Sequence, residues 1–86
     1  MHTVELLAQA LETAERLGYS IRHEWLGGAG GGACEIRGRK WVFVDLSLNA
    51  IEQLEQVVAV LRSDPAIHAA DLPPPIRRLL GIKKAA

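Results

Sequence analysis

A cluster of glycines separates two segments of this chain that alternate like β-strands. Five of the six residues from Gly27 to Gly32 are glycine. On either side, residues 20–26 and 33–37 alternate apolar and polar side chains, which is the period of a half-buried strand. Because glycines between two strands allow tight bends and close backbone approach, this loop constrains both the fold and any binding site.

A third alternating segment follows at residues 40–46. The sequence predicts a two-residue turn at Gly38-Arg39 that joins it to residues 33–37 as a hairpin. A second hairpin through the glycine loop would place residues 20–26 beside 33–37. In this register the large apolar groups share one sheet face: Ile21, His23, Trp25, Cys34, Ile36, Trp41 and Phe43.

Two amphipathic helices flank the strands. Residues 3–17 and 48–62 carry apolar side chains at helical spacing. Ser47 is the predicted N-cap of the second helix, with Asn49 and Glu52 as an alternative capping box. We therefore expect an α+β fold of order α-β-β-β-α, a three-stranded antiparallel meander with both helices packed on the face that carries the two tryptophans.

Charge is distributed unevenly, although the formal net charge of the 86 residues is zero. Residues 1–71, which we interpret as a single domain, hold all ten acidic residues and six of the ten basic ones. This balance disfavours nucleic acid as a partner of the folded body. Residues 72–86 form a proline-containing basic C-terminal tail that can dock on the body or contact an acidic partner through Arg77, Arg78, Lys83 and Lys84.

The sequence predicts a cytoplasmic protein without a membrane partner. It has no apolar run long enough to cross a bilayer, and residues 1–20 lack the charged and apolar regions of a signal peptide. The single cysteine excludes an intrachain disulfide and a four-cysteine zinc site. The histidines do not show metal-ligand spacing, so we expect neither a metal nor a cofactor.

The candidate catalytic residues are Cys34 and His23. Their predicted position on one face would supply a nucleophile and a base, although a cysteine between aromatic side chains under two helices is typical of an inert core residue. The loop amides provide a second candidate site, for an anion, a small ligand or a partner. Its residues are Gly27, Gly28, Gly30, Gly31 and Gly32.

The outer sheet face is the candidate interface. Leu26, Val42 and Val44 form an apolar strip there, and the strand of residues 40–46 is expected at a sheet edge. The leading hypothesis is a small non-enzymatic interaction or regulatory module that binds another protein or forms a homodimer through this face or edge. The alternative is a small-molecule or anion-binding protein, or a cysteine-dependent enzyme, centred on the glycine loop and Cys34.

Two resemblances bear on these hypotheses. The element order is similar to that of a double-stranded-RNA-binding domain, but the start of the final helix, residues 49–55, lacks the basic cluster of such domains. The second resemblance is to a group of short uncharacterised bacterial proteins and brings no activity with it. It is carried by Glu24-Trp25-Leu26-Gly27-Gly28, Gly30-Gly31-Gly32, Cys34 and Lys40-Trp41-Val42-Phe43-Val44-Asp45-Leu46.

Overall fold

The last strand in sequence lies at the centre of the sheet. A computed structural model describes residues 2–28 and 30–82. Its strands are β1 (Tyr19–Glu24), β2 (Gly32–Ile36) and β3 (Arg39–Asp45), arranged in the order β1-β3-β2. β1 runs parallel to β3, and β2 runs antiparallel to it. The α+β class is therefore confirmed, whereas the antiparallel meander is wrong because the sheet is mixed.

The composition of β3 accounts for its central place. Trp41 and Phe43 make one of its faces apolar, and Val42 and Val44 make the other apolar. A strand whose middle residues are apolar on both faces is best covered between two neighbours. The prediction that residues 40–46 form an edge strand is wrong for this reason.

Three α-helices complete the fold: α1 (Thr3–Arg16), α2 (Ala50–Ser63) and α3 (Pro74–Leu80), with a 3-10 turn at Pro65–Ala69 between α2 and α3. Asn49 caps α2, because its side chain accepts a hydrogen bond from the Glu52 amide while the Glu52 carboxylate accepts one from the Asn49 amide. The alternative capping box is thus the observed one, and Ser47 is not the cap. Within the described ranges, no helix has the length and apolarity needed to cross a bilayer.

The helices cover the valine face of the sheet, so the predicted buried face is the wrong one. Val42 and Val44 are fully buried, whereas Trp25 is 75% exposed and Ile36 is 47% exposed. The core is a single cluster made by the sheet and the helices: Ala10, Ala14, Val42, Val44, Leu54, Val57, Val58, Val60, Leu61, Ile67, Leu72, Ile76 and Leu80.

The parallel register of β1 explains the choice of face. Ile21 lies beside Val42, so the apolar residues of β1 join the valines and not the aromatic side chains. Short β-branched side chains also let helices approach closely, as do Ala10 and Ala14 of α1, which are fully buried. The predicted grouping of Ile21 with Trp41 is wrong because it assumed that β1 pairs with β2.

The hairpin between β2 and β3 turns one residue earlier than predicted. Arg37 and Gly38 have φ values of 52° and 79°, which is the pattern of a type I′ turn. The pairing therefore moves by two residues and places Cys34 opposite Trp41. A two-residue shift preserves the face, so Cys34 still lies on the same side of the sheet as Trp41, as the alternation indicates.

Residues 72–82 pack against the rest of the chain. Leu72, Ile76 and Leu80 are buried in the core, and Gly81 ends α3 with a φ of 73°. Arg77 donates a hydrogen bond to the Leu72 carbonyl at 3.3 Å, and Arg78 is exposed. The predicted tail contacts at Lys83 and Lys84 lie outside the described residues.

Alanine substitutions on the two faces of the sheet test this arrangement. We expect Val44→Ala to lower the free energy of unfolding by about 2 kcal/mol, because it removes buried methyl groups and leaves a cavity. Ile36→Ala, on the exposed side, should cost less than about 1 kcal/mol. Urea unfolding of both variants measures the difference, and a larger loss at Ile36 would show that the helices cover the aromatic face.

Candidate functional site

The glycine loop crosses the end of β3 and is held there by one carboxylate. β1 and β2 lie on opposite sides of β3, so the chain between them passes over its C-terminal end. Asp45, the last residue of β3, is fully buried at this crossing. Its carboxylate accepts hydrogen bonds from the amides of Leu26 at 3.0 Å and Gly28 at 2.7 Å. The anion that these loop amides bind is thus part of the protein itself.

Ser47 completes the environment of this carboxylate. Its amide and its hydroxyl donate to Asp45 Oδ1 at 2.9 and 2.6 Å. Burial alone would raise the pKa of Asp45, but the hydrogen bonds from Ser47, Leu26 and Gly28 outweigh it and lower the pKa from 3.8 to about 2. The carboxylate is therefore ionised at neutral pH and forms no ion pair with a described residue, which is the property of a structural anchor.

Gln56 of α2 forms a second anchor for the loop. Its side-chain oxygen accepts a hydrogen bond from the Asp45 amide at 3.2 Å, and its nitrogen donates to the Gly30 carbonyl at 3.1 Å. A Cβ at Gly31 would collide with the Gln56 amide group, and Gly31 also has a φ of 111°. Glycine at position 31 therefore suits both the positive φ, which other residues rarely adopt, and the hydrogen-bonded position of Gln56, which a side chain there would displace.

The predicted nucleophile and base are not brought together. Cys34 lies opposite Trp41 on the side of the sheet away from the helices, and it is exposed. His23 lies beside Val44 and therefore belongs to the other face. Because β1 and β2 are also separated by β3, the two side chains do not form a catalytic pair. The predicted burial of Cys34 between Trp25 and Phe43 is also wrong, because Cys34 lies on the side of the sheet that the described helices do not cover.

The predicted apolar strip is also divided. Val42 and Val44 are core residues, so their placement on the outer face is wrong. Leu26 is half-buried within the glycine loop. The other side of the sheet, which carries no described helix, is called the open face below. Its residues are Ser20, Arg22, Glu24, Cys34, Ile36, Arg39, Trp41 and Phe43.

A second polar cluster joins α1, the sheet and the end of α2. The Tyr19 hydroxyl donates to Asp64 Oδ2 at 2.8 Å, and Lys40 Nζ donates to the Leu17 carbonyl at 2.9 Å and to Asp64 Oδ2 at 3.4 Å. Burial and the interactions with Asp64 raise the pKa of Tyr19 to about 12. The tyrosine therefore stays protonated at neutral pH, which suits a structural hydrogen bond and not a catalytic base.

Across the described parts of the chain, no group of three or more histidine, cysteine, aspartate or glutamate side chains is arranged to hold a metal ion. Comparisons with protein-family models, with curated proteins and with solved structures give no significant match. The sequence analysis did not identify Asp45 or Gln56. The available signal was an aspartate at the end of an apolar strand with a serine two residues later, a pattern that favours local side-chain capping.

Replacing the anchor tests its role. We expect Asp45→Asn to lower the melting temperature by on the order of 10 °C, because one acceptor becomes a donor facing buried amides. In the wild type the low pKa means that ionised Asp45 favours the folded state above about pH 4, and this contribution is lost as the pH falls toward 2.

Thermal unfolding between pH 2 and pH 6 measures this effect. The Asp45→Asn variant should show a weaker acid dependence than the wild type, whereas Asp71→Asn, at an exposed position, should retain it. If the melting temperature of Asp45→Asn depends on pH as strongly as that of the wild type, the anchor role is contradicted.

Proposed function

We propose that the protein is a small non-enzymatic interaction module that associates with a second copy of itself through the free edge of β2. The observation that carries this proposal is that the outer edge of β2 lacks the lysine or proline that usually prevents strand pairing. β2 is an outer strand, its residues 33–36 are exposed, and Glu35 is its only charged residue. Edge strands that avoid pairing usually carry lysine, proline or a bulge, and β2 has neither lysine nor proline.

The hydrogen-bond pattern of the hairpin leaves suitable groups on this edge. In a two-residue hairpin the pair that flanks the turn is hydrogen-bonded, and bonded and non-bonded pairs then alternate. Ile36 flanks the turn opposite Arg39, so Ile36 and Cys34 bond to β3. The amides and carbonyls of Ala33 and Glu35 therefore point away from β3, where an added strand can reach them.

A second copy can use all five residues of β2 in one symmetric register. Antiparallel pairing about a two-fold axis at Cys34 places Ala33 of each copy opposite Glu35 of the other, as hydrogen-bonded pairs. On the open face, Ile36 lies opposite Gly32, whose lack of a side chain leaves space for it. Such strand addition would extend the two three-stranded sheets into one of six strands.

A groove beside β2 supports the same contact. It has a volume of about 310 Å³ and runs between β2 and α2. Most of its lining side chains are small, so an approaching strand and helix meet few obstacles. The lining residues are Gly31, Gly32, Ala33, Gln56, Ala59, Val60 and Ser63.

Two substitutions at one position test the pairing. We expect Glu35→Pro to prevent association, because proline removes an outward amide without removing a bond to β3. Glu35→Gln should strengthen association about two- to fivefold, because the two Glu35 carboxylates are diagonal neighbours in the paired strands. Light scattering and native mass spectrometry at high micromolar concentration measure both effects, with Glu15→Gln on α1 as the matched control. A wild-type protein that stays monomeric under these conditions would contradict the proposal.

Cys34 provides a direct test of the register. In the symmetric pairing its Cα lies about 4.5 Å from that of the other copy, within the range of a disulfide. We expect copper phenanthroline, which takes two electrons from two thiols, to convert the protein into a covalent dimer. A Cys34→Ser/Ser20→Cys variant, with its thiol on β1, should not be linked. Association without linkage of Cys34 would mean that the copies meet by another surface.

A further inference from the structure

The open face carries two aromatic rings side by side on the central strand. The ring centroids of Trp41 and Phe43 are 6.3 Å apart, and their planes differ by 28°. Both residues are half-buried, and none of the described helices covers them. Aromatic rings that remain partly accessible on an open sheet can serve as surfaces on which unpaired bases stack.

Arginine side chains accompany these rings. The guanidinium carbon of Arg39 lies 5.1 Å from the centre of the Trp41 ring, and Arg39 also donates a hydrogen bond to the Ser20 hydroxyl at 3.2 Å. The hydrogen bond to Ser20 directs the Arg39 guanidinium group from β3 toward the neighbouring strand β1. Arg22 lies beside Phe43 in the register, and Arg37 is exposed at the adjoining turn. Guanidinium groups both stack on bases and contact phosphates.

Acidic residues are concentrated on the other layer of the molecule. On this side of the sheet Arg22 and Arg39 are accompanied by Glu24, which forms an ion pair with Arg22 at 2.7 Å, and by Asp45, whose buried carboxylate is occupied by the amides of Leu26, Gly28 and Ser47. Glu35 lies beside Lys40 in the register and so belongs to the helix side. The remaining exposed glutamates lie on α1 and α2: Glu5, Glu12, Glu15, Glu52 and Glu55. Because Asp45 is fully buried, the accessible charges of the open face and its adjoining turn are Arg22, Arg37, Arg39 and Glu24, so the acidic balance of residues 1–71 does not describe this surface.

We propose that the open face binds single-stranded nucleic acid, with bases stacked on Phe43 and on the Trp41–Arg39 pair and phosphates near the arginines. An uncovered sheet face suits a chain that makes several contacts. Stacking on Trp41 and Phe43 requires bases that are not enclosed in a duplex. The contact is independent of the β2 edge. Pairing through β2 leaves the open face uncovered and would place two such faces side by side.

Tryptophan fluorescence tests this proposal directly. In a Trp25→Phe background Trp41 is the sole tryptophan, and its emission should be quenched by a mixed-sequence 12-nucleotide RNA or DNA strand. The affinity should fall with salt, with a log–log slope of about −1.4 for two phosphate contacts.

Phe43→Leu should weaken binding by about tenfold. Arg39→Gln, at an exposed position, should weaken it as well, and Arg16→Gln on α1 should leave it unchanged. Comparison of the RNA and DNA strands identifies the preferred sugar.

Three results would overturn the proposal. The first is an absence of quenching at low salt. The second is equal binding of a DNA duplex or of heparin, which would show a general attraction to polyanions. The third is a Trp41 spectrum that changes with the concentration of a Glu35→Pro variant in the absence of oligonucleotide, which would assign the open face to contact between copies, because this variant cannot pair through β2. Because Arg39 lies on the surface, its variant gives an answer even if Phe43→Leu unfolds.

Discussion

The hydrogen bonds received by the Asp45 carboxylate fix the connection on which the sheet depends. A strand order in which β3 separates β1 from β2 requires the chain to pass over the end of β3, and that passage would otherwise leave part-buried amides without protein acceptors. The carboxylate satisfies amides from both segments that meet there, Leu26 and Gly28 of the loop and Ser47 beyond the strand. A charge without a neighbouring cation is tolerated because these donors replace its hydration.

The same arrangement accounts for the glycine content of the loop better than a ligand site does. The amides of Leu26 and Gly28 are occupied by Asp45, and a side chain at position 31 would strain a backbone with a φ of 111° and displace Gln56 from its hydrogen bonds. The surfaces on which we propose binding lie elsewhere, on the outer edge of β2 and on the open face. They are nearly perpendicular to each other, so occupation of one does not block the other.

Sequence reasoning located α1, α2, the three strands and the hairpin between β2 and β3, but it described residues 72–86 as a tail and did not predict α3. Alternation within that hairpin also correctly placed Cys34 on the same side as Trp41. The choice of buried face failed because β3 is apolar on both sides, so its own pattern carries no preference. The alternation that identifies the buried face lies in β1, where Tyr19 and Ile21 alternate with Ser20 and Arg22. It can be applied to β3 only when the parallel pairing of the two strands is known. Such a pairing is non-local, and neither period nor turn residues specify it.

The interior position of β3 also has a consequence for how the chain acquires its structure. β1 and β2 make no ladder with each other, so neither has a strand partner until residues 39–45 arrive. During synthesis the first 38 residues therefore consist of one helix and two unpaired strand segments, and sheet formation waits for a contact between positions about 20 apart. The hairpin of β2 and β3 is local, whereas the pairing of β1 with β3 requires closure of a longer loop before its contacts form, so we expect this pairing to be the slower step of sheet formation.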